Sequence, residues 1–244
     1  MSILNGIRVI DVAQFNAGPI VSMYLALMGA DVIKIESLDG DDSRSIGPFS
    51  GGESSYFMSL NRGKRSLSVN LKTKEGIELF KKIAEKSDIL IENFSPGVMD
   101  RLGIGWDTIK EVNNRLIYGS VTGFGKGSKH SERPAFDSLI QSASGLVSVT
   151  GTKKGELVRI GVSIVDITTG LYLLSAVLLA LWKREKDSKG RKIETSMLSA
   201  AVNILENPIV RHSFSETIPE PEGLSHPVVS PFSGYKTKDG KIFI

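Results

Sequence analysis

The chain has 244 residues, 41% hydrophobic and 23% charged, with no cysteine and thirty basic against twenty-seven acidic residues. That balance describes a globular chain with a sizeable core and excludes disordered, collagenous and disulfide-built classes. A formal charge of +3 is too mild for a nucleic-acid binder, and three scattered histidines without any thiol leave no metal site to expect.

The elements follow in chain order. Ile7–Val12 reads as a short strand, Pro19 sits where a helix begins, and Ile20–Met28 is apolar enough to be buried on more than one side. Gly29 ends that helix and Val32–Ile35 is the next strand, so the opening is a βαβ unit that implies a parallel sheet. The alternation recurs. A helix over Thr73–Lys86 leads to Ile89–Ile91, and one over Trp106–Val112 leads to Leu116–Tyr118. Asp166–Trp182 is the strongest helix, followed by a basic turn over residues 189–192, a strand at Ile193 and a helix over Met197–Leu205. The fold class expected is α/β, a Rossmann-like parallel sheet flanked by helices.

After Pro208 the composition changes, and residues 213–231 hold four of the nine prolines. We read 1–207 as the α/β domain, 208–231 as a linker and 232–244 as the start of an incomplete second domain. Asp239-Gly240 between Gly234–Thr237 and Lys241–Ile244 is a hairpin signal. The N-terminus shows no basic segment followed by a long apolar run, so neither a signal peptide nor a membrane segment is expected. The longest apolar stretch, Leu171–Trp182, is short for a bilayer, and the expected location is cytoplasmic.

The turn after the first strand, Ala13–Pro19, has a single glycine and lacks G-x-G-x-x-G, which argues against a dinucleotide dehydrogenase. Glu36 at the end of the second strand is then a strand-end carboxylate. Asn61–Arg65 sets three cations within four positions, and Lys72, Arg101, Lys126 and Lys129 lie near loop and helix ends. Such cations suit phosphates, although solvated surface charge explains any one of them. Asn93–Gly97 follows a strand directly, where α/β sheets bind ligands, and an Asn–Ser–Pro turn accounts for it equally. Asp166 closes the strand-like run Gly161–Asp166 and opens the long helix, a place for a capping carboxylate. The same place would keep a nucleophilic carboxylate ionised, with Gly170 leaving room for a substrate. Neither G-x-S-x-G, H-E-x-x-H nor a P-loop is present.

Taken together, several segments resemble the class III CoA-transferases, a group that includes formyl-CoA transferase, carnitine CoA-transferase and α-methylacyl-CoA racemase. They are Arg8–Asp11 with Asn16–Pro19, Gly29–Glu36, Asn61–Ser66 and Asn70–Thr73. Glu92–Gly97, Asp100–Gly103, Arg133–Asp137 and Gly161–Asp166 continue the likeness in order to about residue 244. The resemblance implies that Asp166 is the nucleophile, passing through an acyl-aspartyl anhydride and an aspartyl-CoA thioester. It implies that Asn16 and Ala17, Asn70, Leu71 and Lys72, Asn93, Phe94 and Ser95, Arg101, Phe136 and Asp137 bind CoA. Acyl-CoA and a small carboxylic acid are then substrates, with no tightly bound cofactor, no metal, no nucleic acid and no membrane. Full-length members form interlocked homodimers. Racemases of the group carry a histidine where this chain has Phe136, and a phenyl ring moves no proton, which favours transfer over racemisation. The family's Arg at position 37 is Ser37 here, so a phosphate contact is lost or passes to Arg44. Racemisation, and a CoA-binding fragment inactive without its second domain, are the alternative readings.

Overall fold

The computed structural model describes residues 2–152 and 155–244. The first strand is β1 (Arg8–Asp11), followed by α1 (Ala17–Leu27) and β2 (Asp31–Glu36). A short 3-10 turn and a small flap come next: β3 (Phe49–Ser50), β4 (Glu53–Ser54) and α2 (Ser55–Leu60). Then follow β5 (Arg65–Ser68), α3 (Lys74–Glu85), β6 (Ile89–Glu92), α4 (Val98–Arg101), α5 (Trp106–Val112) and β7 (Ile117–Thr122). The second half holds α6 (Asp137–Ser144), α7 (Leu146–Val149), α8 (Ile164–Asp187), β8 (Arg191–Ser196), α9 (Met197–Ile204) and α10 (Glu206–Ser215). A hairpin of β9 (Gly234–Lys236) and β10 (Lys241–Phe243) ends the chain.

Six strands form one sheet in the order β5-β2-β1-β6-β7-β8, and every pairing is parallel. The fold is therefore the expected α/β sheet flanked by helices. Alternate strand residues face opposite layers, as a pleated strand demands. Val9, Ile89, Ile91 and Ile117 pack with α1, α8 and α9, whereas Ile10, Leu90 and Tyr118 pack with α3 and α5. Chain order runs outward from β1 to β2 and β5 on one side and through β6, β7 and β8 on the other. The strand order thus reverses between β1 and β6, where parallel sheets open a crevice at the carboxyl ends of their strands.

Several expectations change. Asp166 does not end a strand. Residues 161–163 are irregular, α8 begins at Ile164 with Ser163 before it, and Asp166 lies in the first turn. At 24 residues, with a mean hydropathy of 2.0 over an 18-residue stretch, α8 is long and apolar enough to cross a membrane by length and composition. In this fold it is the central helix, with Val165, Leu173 and Val177 buried in the core shared with α1 and β7. Gly170 does not admit substrate. A Cβ there would lie 2.1 Å from Ile20 Cγ2, so the glycine lets α8 and α1 approach. Residues 206–215, read across the linker boundary, are helical as α10 despite Pro208, because proline is tolerated in a first helical turn. The basic turn at residues 189–192 is half strand, since β8 starts at Arg191.

Candidate active site

The crevice between β1 and β6 holds a cavity of about 260 Å³. One wall is the segment after β1, Gln14–Ala17, and it is held by buried charge. The Asp11 carboxylate accepts the Ala13 amide at 2.9 Å, the Ser22 hydroxyl at 2.6 Å and the Lys64 ammonium at 2.8 Å. Lys64 also donates to the carbonyl of Pro19 in α1 and to Asn61 Oδ1. Lys34 donates to the Ala13 carbonyl at 2.7 Å and pairs with Asp41 at 2.7 Å. Both ends of the Ala13 peptide are thereby fixed by buried ions. Burial alone would raise the Asp11 carboxyl, but the two ammonium groups and the hydrogen bonds outweigh it and hold it below the ordinary value. Burial pulls the Lys64 ammonium down.

The second wall is locked to the first. Asn93 accepts the Gln14 amide and donates to the Gln14 carbonyl, both at 2.8 Å. Gly18 permits this contact, since a Cβ there would lie 2.3 Å from Ala13 Cβ and 3.2 Å from Asn93 Cγ. Between the clamped Gln14 and Asn16, Phe15 adopts φ 61, a left-handed conformation costing a bulky residue about 1 kcal/mol or more. Asn16, 8% exposed, precedes α1, and its Oδ1 is buried without a hydrogen-bond partner among the described residues. An orphaned buried acceptor on a cavity wall is costly, and it marks a place where a ligand donor would be satisfied.

Asp166 lines the same cavity from α8. It does not cap its helix. Asp137 does so, its Oδ1 accepting the amides of Val165 at 2.9 Å and Asp166 at 3.3 Å. Burial pushes the Asp166 carboxyl up, and the neighbouring Asp137 charge adds to this, to about 7. The helix field therefore does not keep it fully ionised, contrary to the sequence expectation, because Asp137 already occupies the amides that would have held it. The result is a carboxyl poised near neutrality in a cavity at the sheet's reversal point.

A family model described as CoA-transferase family III matches residues 4–244. The chain belongs to this family. It is 36% identical over 243 residues to human succinyl-CoA:glutarate CoA-transferase, covering 99% of the chain and 56% of that relative. It is 37% identical to acetyl-CoA:oxalate CoA-transferase of Acetobacter aceti, covering 96% of the chain and 61% of that relative. A CAIB/BAIF family protein from Brucella suis superimposes with a TM-score of 0.93 at 37% identity, covering all of this chain and 66% of that one. The chain spans between half and two thirds of the length of these curated relatives.

For this family III chain, the residues singled out by resemblance fall into three groups. Asn16, Ala17, Asn93, Phe94, Ser95 and Phe136 line the Asp166 cavity. Asn70, Leu71 and Lys72 line a second cavity of about 340 Å³ beside the ends of β2 and β5, which shares Gln14 and Phe94 with the first. Arg101 and Asp137 line neither. Arg101 is exposed at the end of α4 beside Gly97, and Asp137 is buried, spent on the α8 amides and Gln141. Arg44 does not replace a lost phosphate contact. It is bidentate on Glu36 at 2.7 and 2.9 Å and stacks 3.7 Å over Phe57. Glu36, read as a strand-end carboxylate, is buried there. Burial would raise it, but Arg44, Ser66 and the Asp41 amide outweigh that and hold it at about 2. Of the basic run at 61–65, Lys64 is the buried clamp and Arg65 pairs with Asp31 at 2.6 Å.

Sequence reasoning missed Lys34 and Tyr56, and it read Lys64 as a phosphate-suited or solvated cation rather than a buried partner of Asp11. Tyr56 lies half-buried on α2, and burial together with the Asp166 charge pushes its phenol up. Its only sequence signal was Ser54, which caps α2 through the Phe57 amide.

Proposed function

We propose that this chain moves CoA from an acyl-CoA donor to a small carboxylic acid, with Asp166 as the nucleophile. The observation that carries the reading is the Asp166 carboxyl itself: the ionisable end of α8, raised to about 7, facing a cavity that shares Gln14 and Phe94 with a second one along the strand ends. The nucleotide end of CoA fits the cavity at Asn70–Lys72, and the pantetheine arm would pass Gln14 and Phe94 to reach Asp166.

Asp166 ionises and one carboxylate oxygen attacks the thioester carbon; the C–S bond breaks and CoA thiolate leaves, giving a mixed anhydride. The thiolate then attacks the Asp166 acyl carbon and the donor acid departs as carboxylate. An acceptor carboxylate attacks the resulting aspartyl-CoA thioester, releasing thiolate, which attacks the acceptor's acyl carbon and frees Asp166. The uncapped start of α1 at Asn16, with no acidic residue in its first turn, favours the oxyanions formed on the way. Transfer, rather than racemisation, is supported by Phe136, which offers no proton where a racemase would need one.

The partner of the chain is read as a second copy of itself. Leu179 and Trp182 on α8 and Phe214 on α10 are 65%, 61% and 88% exposed, and large exposed apolar side chains are what an interaction surface presents. Sedimentation would show a dimer.

The test of the chemistry is intact-protein mass spectrometry after incubation with a panel of acyl-CoA thioesters, with hydroxylamine or borohydride trapping. A CoA or acyl adduct on Asp166, absent in Asp166→Ala, is expected. CoA binding by calorimetry without any adduct would sink the nucleophile assignment.

A further inference from the structure

We propose that Arg133 selects the acid, taking the non-reacting carboxylate of a dicarboxylate whose other end meets Asp166. This rests on CoA transfer at Asp166 as read above.

Of the described side chains lining the 260 Å³ cavity, only Asp166 and Arg133 carry charge. The guanidinium has no hydrogen-bond or carboxylate partner among the described residues, since Arg133 enters the hydrogen-bond network only through its backbone amide, given to the His130 carbonyl at 3.0 Å. Nor is it Asp166's own counter-ion. That carboxyl is raised, with burial and Asp137 as the causes and no cation opposing them. A permanent cation and a nucleophile thus share one cavity without neutralising each other. Pro134 stiffens the backbone directly after Arg133, so the guanidinium starts from a fixed anchor. Its planar fork matches a carboxylate through two parallel hydrogen bonds.

The sheet order separates this cation from the nucleotide. The cavity at Asn70–Lys72 lies beside β2 and β5, on one side of β1. Arg133 follows β7, on the other side of β6. A CoA arm entering past Gln14 and Phe94 fills the β1–β6 side and leaves the β7 side to the acyl group. Donor acyl group and acceptor acid occupy that place in turn, so one arginine would screen both.

The experiment compares glutarate with valerate, equal in chain length and differing by one carboxylate, as acceptors for purified wild-type protein, Arg133→Gln and Arg133→Lys. Because Arg133 is exposed, both variants are expected to keep the wild-type melting temperature. Arg133→Gln should raise KM for glutarate about 10- to 100-fold while changing valerate by less than about threefold, and Arg133→Lys should recover part of the loss. Equal losses for both acids, or no preference for glutarate in the wild type, would overturn the assignment. A raised KM for the CoA donor with unchanged acceptors would also overturn it, placing Arg133 on a CoA phosphate instead. Wild-type protein that transfers CoA to valerate but ignores Arg133 sinks this inference alone. Absence of transfer to any acid sinks the CoA-transfer reading and this one with it.

Discussion

The two walls of the cavity are built on different principles. The wall from β1 and β6 is immobilised: Ala13 is pinned by Asp11 and Lys34, Gln14 by Asn93, and the start of α1 by Lys64. The wall from Arg133 to Phe136 is open, with Phe136 63% exposed and touching Phe15 edge-on at a centroid distance of 6.4 Å. Pinning a wall with buried ions is expensive, since each charge must be desolvated and then fully partnered. Under the proposed CoA transfer, a thioester that must be held fixed would justify that cost on one side, and a variable acid the loose construction on the other.

The largest effect that sharpens this contrast is at Asp166, where the two walls meet. Asp166→Asn should lower CoA transfer by about 10³-fold or more, the loss typical of a removed nucleophile. In the wild type, kcat/KM should rise with pH through an apparent pKa near 7, because only the carboxylate attacks. The stability effect has the opposite sign. A carboxyl raised from about 3.9 unfolded to about 7 folded binds its proton more tightly when folded, so its contribution is full below about pH 4 and is lost as pH rises to 7. Asp166→Asn should therefore be more stable than the wild type at pH 8 by up to about 4 kcal/mol, with the difference vanishing near pH 4. Urea unfolding at the two pH values measures it, and equal differences at both would contradict a raised carboxyl.

Next in size is the pinned wall. Lys64→Met strands the fully buried Asp11 carboxylate and should cost about 3–5 kcal/mol in urea unfolding. A cost below about 1 kcal/mol would mean that Lys34 and solvent replace Lys64, and the wall is not pinned as described. Gly170→Ala follows. The added methyl meets Ile20 at 2.1 Å, and parting α8 from α1 should cost about 1–3 kcal/mol. Since α1 starts at the cavity and α8 carries Asp166, the activity of Gly170→Ala should fall further than its stability alone explains.

Much of this architecture was legible in the sequence, and the exceptions have physical causes. Leu90 and Ile117 sit in short apolar runs and Ile10 in a β-rich one, so the central strands announced themselves. The edge strand β5, Arg65–Ser68, alternates polar and apolar weakly because it pairs on one side only. Gly161–Asp166 looked like a strand because a short apolar run has no period of its own, and its last three residues begin a helix. Asp166 itself was found, but its ionisation was misjudged. Asp137, far away in the chain, takes the amides that sequence logic gave to Asp166. Distance likewise hid the Asp11–Lys64 pair, whose members look like solvated charge until the sheet brings them together, while Lys34 and Asp41 stand close in the chain but show no sign in it of being buried.

Phe136→Ala should give the smallest stability effect and the cleanest test of the open wall. An edge-on aromatic pair is worth about 0.5–1.5 kcal/mol, and with one ring mostly in solvent the lower end applies. The thermal midpoint should then drop by no more than about 2 °C. Phe15 follows Gln14, which Asn93 clamps independently of Phe136, so its left-handed backbone should not relax when the ring is removed. What should change is the choice of acid. With Phe136 gone the mouth beside Arg133 widens, and bulkier acceptors should gain relative to small ones in a competition for one acyl-CoA donor. A loss of stability comparable to that of Lys64→Met would mean that this wall is pinned too, and that the division between a fixed side and a selecting side does not hold.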